Sequence, residues 1–301
     1  MGKISVFGAS GFIGQNLIQK LRLDFEINAV SIRDENWRKT LDNSTVFINL
    51  IGKAHDHIGI AKDADYYYAN LDLAKEVFKE FVISDAKLLI HVSSLAAVEE
   101  FESDAPLNED QTPNPQSVYG KSKRAAEEWL LKQDIPENKK LIILRPPMVH
   151  GPGDKGNLGL LYKLISKGIP YPLASFDNRR SFISIDNFSF FIKEIVEKSD
   201  RLSSGIYHIA DDEAISTNQI ISSIKKVENK NVMNLSIPKF LIIGLAKLGD
   251  SVPIPLNTKR LKKMTSNLVL SNQKIKTALD IINLPLTAEQ GLEITIKSFK
   301  K

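Results

Sequence analysis

The 301-residue sequence predicts an α/β fold, a doubly wound parallel sheet followed by a smaller C-terminal α/β lobe that binds the substrate. Three observations carry that reading. Short apolar runs alternate with segments of helical spacing through the first half of the chain. The runs are almost continuously apolar, as strands covered on both faces must be. A glycine-rich turn joins the first run to the first helical segment.

"KISVF" (3–7) ends at Gly8 and reads as a buried strand. "FIGQNLIQKLRL" (12–23) places Phe12, Ile13, Leu17, Ile18 and Leu21 on one helical stripe. "INAVSI" (27–32) and "TVFINLIG" (45–52) are the second and third strands, and 33–44 between them leaves room for little more than one helical turn. A long helix is expected over 64–83, a fourth strand over 87–94 and a polar loop rich in Pro and Asn over 102–117. A helix from about 117 to 133 and a fifth strand over 140–146 complete the alternation. After 145–156 the pattern loosens into short elements broken by Pro and Gly. The expected division is a dinucleotide-binding domain over 1–166 and a substrate lobe over 167–301, the latter interleaved with segments that return to the first.

Composition narrows the chemistry. With no cysteine, disulfides, thiolate zinc sites and cysteine nucleophiles are all excluded, which fits a reducing compartment. "HDH" (55–57) lacks further ligands and makes a poor metal site, so no metal is expected. The N-terminus has no long apolar region of a signal peptide. "FLIIGLAKLG" (240–249) is too short to span a bilayer, holds Lys247 and reads as a buried helix. A cytoplasmic protein without an integral membrane segment is expected. Net charge is +4, and the one basic cluster is "TKRLKKM" (258–264). It reads first as a solvated face and second as a contact for an anionic lipid surface. Nucleic acid would need a broader stripe with interleaved aromatics.

"GASGFIG" sets Gly8, Gly11 and Gly14 three apart between a strand and a helix. That context marks a dinucleotide site in a Rossmann-type sheet. Gly8 permits the turn, Gly11 admits a pyrophosphate close to the backbone, and Gly14 lets helix and strand pack. The helix start at Phe12 and Ile13 offers N–H groups and a partial positive charge to the diphosphate.

"SVYGKSK" (117–123) puts Tyr119 and Lys123 one helical turn apart, on one face. A free tyrosine titrates near ~10, so bringing it to neutrality takes roughly 4 kcal/mol. A lysine at about 5 Å with an effective dielectric of about 20 supplies roughly 3 kcal/mol, and a positively charged oxidised nicotinamide nearby can supply the remainder, so a lysine one turn away is about the size of perturbation an acid–base tyrosine needs. Ser94 lies 25 residues earlier, at the carboxyl end of the fourth strand, where open α/β sheets bind ligands. Its hydroxyl is placed to hold a substrate oxygen. His91 and His208 read as structural.

Together, GxxGxxG, "YGKSK" and the Ser93–Ser94 pair resemble the extended short-chain dehydrogenase/reductase family, in its branch of nucleotide-sugar epimerases, dehydratases and ketoreductases. The resemblance runs over nearly the whole chain. It implies that Ser94, Tyr119 and Lys123 are catalytic, favouring Ser94 over Ser93. "INLIGKAH" (48–55) looks like the loop over the cofactor and implies contacts from Leu50 and Gly52, with His55 near the sugar. Asn70 stands where the family carries a structural Asn. "RPPMVHGPG" (145–153) looks like "RPxxVYGPG", with His150 in place of Tyr; Pro146 is implied to line the cofactor. Asn157 resembles a residue that bonds the nucleotide diphosphate. "NRRSFISIDN" (178–187) resembles the stretch with a phosphate-binding Arg, where Arg180 is the candidate and Arg179 the fallback. The family leaves room for a homodimer paired through the helix carrying YxxxK.

NAD enzymes place an acid at the end of the second strand to bond the ribose 2′-OH. Here Ser31 and Arg33 stand there and Asp34 comes later, so NADP(H) is favoured over NAD(H). Family dehydratases follow the serine with Asp–Glu; Leu95 and Ala96 exclude that reaction. The expected activity is reduction of a UDP-linked 4-keto-(6-deoxy)-hexose or hexosamine in surface-polysaccharide synthesis, with 4-epimerisation of a UDP-hexose(amine) as the alternative. An idle dinucleotide sensor has no use for an intact Ser94, Tyr119 and Lys123. A reductase of non-nucleotide ketones has none for the Arg180 stretch.

Overall fold

The computed structural model describes residues 2–54, 61–154, 156–230, 232–233, 235–252 and 256–300. Its main sheet has six parallel strands: β1 (Lys3–Phe7), β2 (Glu26–Val30), β3 (Ser44–Asn49), β4 (Leu88–Val92), β5 (Lys140–Arg145) and, after a second small sheet, β8 (Gly205–His208). Their order is β2-β1-β3-β4-β5-β8. The small sheet pairs β6 (Met148–His150) with β7 (Phe182–Ser184), also parallel.

Alternation along each strand sends side chains to two separate cores. Ile4, Val6, Ile48 and Ile90 pack on one face against α1 (Phe12–Leu21), α6 (Ile185–Glu197) and α10 (Gln273–Leu279). Phe7, Phe47, Leu89 and Ile143 pack on the other against Trp37, α3 (Leu73–Ile83) and α4 (Val118–Leu131). The doubly wound parallel sheet expected from the sequence is therefore present. The short link between β2 and β3 folds as one tight turn of helix, Trp37–Leu41.

A third core joins α5 (Asn157–Ser166), α7 (Thr217–Glu228), α8 (Lys239–Leu248), α9 (Thr258–Thr265) and α11 (Ala288–Ser298) through Tyr162, Ile221, Ile242, Leu261 and Leu292. Two expectations change here. The helix read over 64–83 is interrupted: α2 (Asp63–Tyr67) passes into a π turn at Tyr68–Asp72 before α3 begins. Asn70 lies within that turn and is fully buried, and π turns of this kind gather at functional sites. The apolar stretch over 240–249, read as a buried helix, is mostly exposed: α8 buries only Ile242 and Ala246. Its apolar residues encircle the helix, and the core it packs on covers a single stripe.

Candidate active site

The glycine turn is shaped by the contacts a side chain would make. Gly8 has φ +82°, and a Cβ there would meet the Ile51 amide at 3.0 Å. On Gly14 a Cβ would stand 2.4 Å from the Gly8 carbonyl, so only glycine lets α1 close on the turn. Gly11 differs: a Cβ there would approach protein no nearer than 3.4 Å. Packing does not demand glycine at 11, whereas a ligand laid across the backbone would. Gly11 caps α1, with no side-chain cap and no acid in the first turn. The N–H groups at Phe12 and Ile13 thus keep their donor capacity and the positive end of the helix dipole. This cradle suits a dinucleotide diphosphate.

Beyond β3, Asn49 and Asn70 set the course of the chain. The Asn49 carboxamide accepts the Ile51 N–H at 3.0 Å and donates to His91 Nδ1 at 3.2 Å. Asn70 accepts from Lys53 N at 2.9 Å and donates to Lys53 O at 3.1 Å and Ser122 Oγ at 2.8 Å. The Leu50–Gly52 segment is held over α4 as a result. Gly52 faces the Lys123 ammonium, which is buried and donates to the Val92 carbonyl at 2.9 Å.

Ser94 closes β4 and caps the short turn Leu95–Ala97, its Oγ accepting the Ala96 N–H at 3.2 Å. Ser117 caps α4 by accepting from Gly120 N at 3.0 Å, which places half-buried Tyr119 in the first turn of that helix. Ser94 lies close enough to the Tyr119 hydroxyl to lower its pKa. The structure therefore brings Ser94, Tyr119, Lys123 and Gly52 together at the carboxyl ends of β3 and β4.

The electrostatics differ from the sequence expectation. Tyr119 is pushed above its ordinary value, not toward neutrality: burial raises it, the Ser94 hydroxyl lowers it, and the Glu100 carboxylate raises it again. Lys123 itself is lowered to about 8, since burial disfavours its charge while Glu127 favours it. Glu127, one turn along α4, favours the lysine's charge, while burial is the main reason the phenol keeps its proton.

Glu100 and Glu127 escaped the sequence reading, as did the role of Arg145. Glu127 is fully buried and accepts from Ser93 Oγ at 2.6 Å and from Arg145 Nε and Nη2 at 2.9 and 2.7 Å. Its spacing of four from Lys123 was the available signal. Glu100 accepts the Gln116 and Ser117 amides at 2.9 and 2.6 Å, at the positive end of α4. It is far from Ser117 in sequence, and only the fold joins them.

Ser31 and Arg33 are exposed just past the end of β2, in a turn closed by Asp34 N on Ser31 O at 3.0 Å. Pro146 is buried after β5 and accepts the Leu95 N–H at 2.8 Å. Asn157 is exposed at the start of α5. Arg180 is half-buried, and its Nη1 donates to the carbonyls of Phe101 at 3.2 Å and Ser266 at 3.3 Å. Arg179 is exposed beside it. His55 lies outside the described residues. His150 is buried, with Nδ1 2.9 Å from Thr295 Oγ1, and burial lowers it to about 4. His91 and His208 are buried and lowered to about 3, so all three are neutral imidazoles.

Against this geometry, the family model of the NAD dependent epimerase/dehydratase family matches residues 4–210. The UDP-glucose 4-epimerase of Vibrio cholerae is 25% identical over 322 residues, covering 98% of this chain and 95% of that protein. The N-acetyl-alpha-D-glucosaminyl-diphospho-ditrans,octacis-undecaprenol 4-epimerase of Escherichia coli O157:H7 is also 25% identical, covering 98% of this chain and 94% of its own length. Among solved structures, MoeE5 in complex with UDP-glucose and NAD superposes with a TM-score of 0.79 at 19% identity, covering 99% of each chain. RMD from Pseudomonas aeruginosa complexed with NADPH gives 0.76 at 16% identity, covering 100% of this chain and 99% of that one. These likenesses show a shared fold; the two neighbours hold different nicotinamide cofactors.

Proposed function

We propose that this chain, which belongs to the NAD dependent epimerase/dehydratase family, is an NADPH-dependent oxidoreductase that reduces a nucleotide-linked 4-keto-sugar, with a UDP-linked 4-keto-(6-deoxy)-hexose or hexosamine as its substrate class. The observation that carries the choice is the end of β2. The strand stops at Val30, and Ser31 and Arg33 follow it with no acid before Asp34. A carboxylate there would bond the 2′-OH of NAD and repel the 2′-phosphate of NADP. Arg33 attracts that phosphate. A reductase exchanges its cofactor at every turnover and draws on NADPH; an epimerase keeps one bound and returns the same hydride.

In this reading Gly8, Gly11, Phe12 and Ile13 hold the diphosphate, Leu50, Gly52 and Pro146 line the cofactor, and Arg180 and Asn157 take the nucleotide diphosphate of the sugar. Residues 1–166 form the dinucleotide domain and 167–301 the substrate lobe, which returns α6, β8 and α10 to the main sheet and its core. When bound, the nicotinamide supplies hydride to the sugar carbon. The protein supplies the proton. Ser94 orients the carbonyl oxygen, Tyr119 gives its phenolic proton to that oxygen, and Lys123 stabilises the phenolate left behind. The upward shift of Tyr119 supports this direction, since a proton donor must be protonated at neutral pH. Leu95 and Ala96, after Ser94, offer no acid or base for dehydration.

Epimerisation is the second reading, favoured by the two 4-epimerases aligned over 98% of this chain. The deciding experiment supplies a UDP-4-keto-6-deoxy-hexosamine with NADPH and follows loss of NADPH absorbance. In parallel, UDP-glucose and UDP-N-acetylglucosamine are incubated without added reductant and examined for the carbon-4 epimer. Steady NADPH consumption, lowered ~10²–10⁴-fold in Tyr119→Phe, is expected. Epimer formation without net cofactor turnover would establish the second reading in its place.

A further inference from the structure

Helix α8, "KFLIIGLAKL", turns its apolar side away from the protein. Only Ile242 and Ala246 are buried, and they face the core shared with α5, α7, α9 and α11. Phe240 is 71% exposed and Leu248 54%, with Leu241, Ile243 and Leu245 exposed beside them. At 100° per residue, Phe240, Leu241, Leu245 and Leu248 share one outward arc, with Lys247 at its border. A helix that is apolar all round belongs in a core or against something that covers it.

Charge says what covers it. From Asn229 to Leu279 the sequence holds nine basic residues, Arg260 and eight lysines, against one acid, Asp250. That segment therefore carries +8 of a whole-chain +4, which leaves −4 on the other 250 residues. Lys247 borders the apolar arc, Lys239 opens α8 with its ammonium over Phe176, and α9, which packs against α8, carries Lys259, Arg260, Lys262 and Lys263. Lys262 pairs with Glu102 at 2.7 Å and Lys263 approaches Glu100 at 3.7 Å, which tempers the field without reversing it. A second copy of this chain docking by the same face would bring two such basic surfaces together. An anionic bilayer answers both features at once, taking the apolar arc into its interface and the lysines among its headgroups.

We infer that α8 and α9 form a peripheral docking surface for an anionic lipid bilayer, with α8 lying in the plane of the interface. The inference is independent of which carbon-4 reaction the site performs. It also links the docking face to the site, because Ser266, which follows α9, holds Arg180 through its carbonyl, and Lys263 of α9 reaches the Glu100 that caps the Tyr119 helix.

The test is co-sedimentation of the full chain with vesicles of phosphatidylcholine containing phosphatidylglycerol, beside vesicles of phosphatidylcholine alone. Binding to the anionic vesicles only, weakening as sodium chloride is raised, is expected. Phe240→Ser with Leu248→Ser, and separately Lys239→Gln with Lys247→Gln, should each bind about tenfold more weakly. These positions are exposed, so the melting temperature should match the wild type. No sedimentation with anionic vesicles, or binding that neither pair of substitutions alters, overturns the inference. So does a wild-type dimer in sedimentation velocity that Phe240→Ser with Leu248→Ser dissociates while vesicles bind neither form, which would assign the face to a second copy.

Discussion

Gly52 and Lys123 are in such close approach that a Cβ added at Gly52 would stand 2.9 Å from the Lys123 nitrogen and 2.9 Å from Asn70 Oδ1. Neither neighbour yields easily. The ammonium is buried and tied to the Val92 carbonyl, and the Asn70 carboxamide is held by three hydrogen bonds. The loop after β3 and the helix carrying Tyr119 are therefore fitted to each other through a missing side chain.

Gly52→Ala should disturb Lys123 rather than the fold. We expect kcat to fall at least about tenfold, as for a small misplacement of a catalytic group. Circular dichroism should be unchanged, because Gly52 is exposed in the loop after β3 and outside the apolar core. A variant of wild-type kcat would show that the lysine relocates without consequence.

Lys123 gives the site a pH signature. Its ordinary value of 10.5 is lowered to about 8 by burial, against the pull of Glu127. The charged form predominates below about 8, so kcat/KM should fall as pH rises through that value. Stability moves the other way. Because the folded value lies below the unfolded one, the cost of the buried charge is present in full below about 8 and is relieved as pH rises toward 10.5. The melting-temperature difference between Lys123→Met and wild type should shrink across that window, and an alkaline limb that persists in the variant would assign the titration to another group.

The sheet was legible because its information is local: each buried strand is an apolar run and each helix a stripe, so strand and helix limits fall close to those expected. The glycine turn and the Tyr119–Lys123 pair were legible for the same reason, being spacings of three and four. Glu100 was not, because its work is to cap a helix 17 residues away across a loop. Glu127 was overlooked although its spacing was visible; burial beside Arg145 is what gives a helix-face glutamate its meaning. The direction of the Tyr119 shift is not legible because burial, its largest cause, and the Glu100 carboxylate are both set by the fold rather than by spacing. Exposure of α8 was hidden because an apolar helix reads alike whether a core or a membrane covers it.

Arg33 tests the cofactor. It is exposed in the turn just past β2, and Arg33→Ala removes no packing. A charge-assisted bond to a 2′-phosphate is worth about 1.5–3 kcal/mol, so the Kd for NADPH should rise about tenfold to a hundredfold while that for NADH stays within about twofold. Fluorescence titration of the two reduced cofactors measures both, and equal losses would reject the NADPH preference.

Arg180 tests the substrate. Its Nη1 bonds two backbone carbonyls, from Phe101 and Ser266. Both partners are neutral, so they orient the guanidinium without cancelling its charge. Burial lowers it to about 10, which leaves it protonated at neutral pH. A half-buried arginine steadied by carbonyls is prepared to meet a phosphate. Arg180→Ala should raise KM for a UDP-sugar about tenfold to a hundredfold and leave the NADPH Kd unchanged. Arg180→Lys should recover part of that loss, since it keeps the charge and gives up the fork. If instead KM is unaffected and only the melting temperature falls, Arg180 is a clamp between the 99–103 loop and the end of α9, and the diphosphate must be held elsewhere.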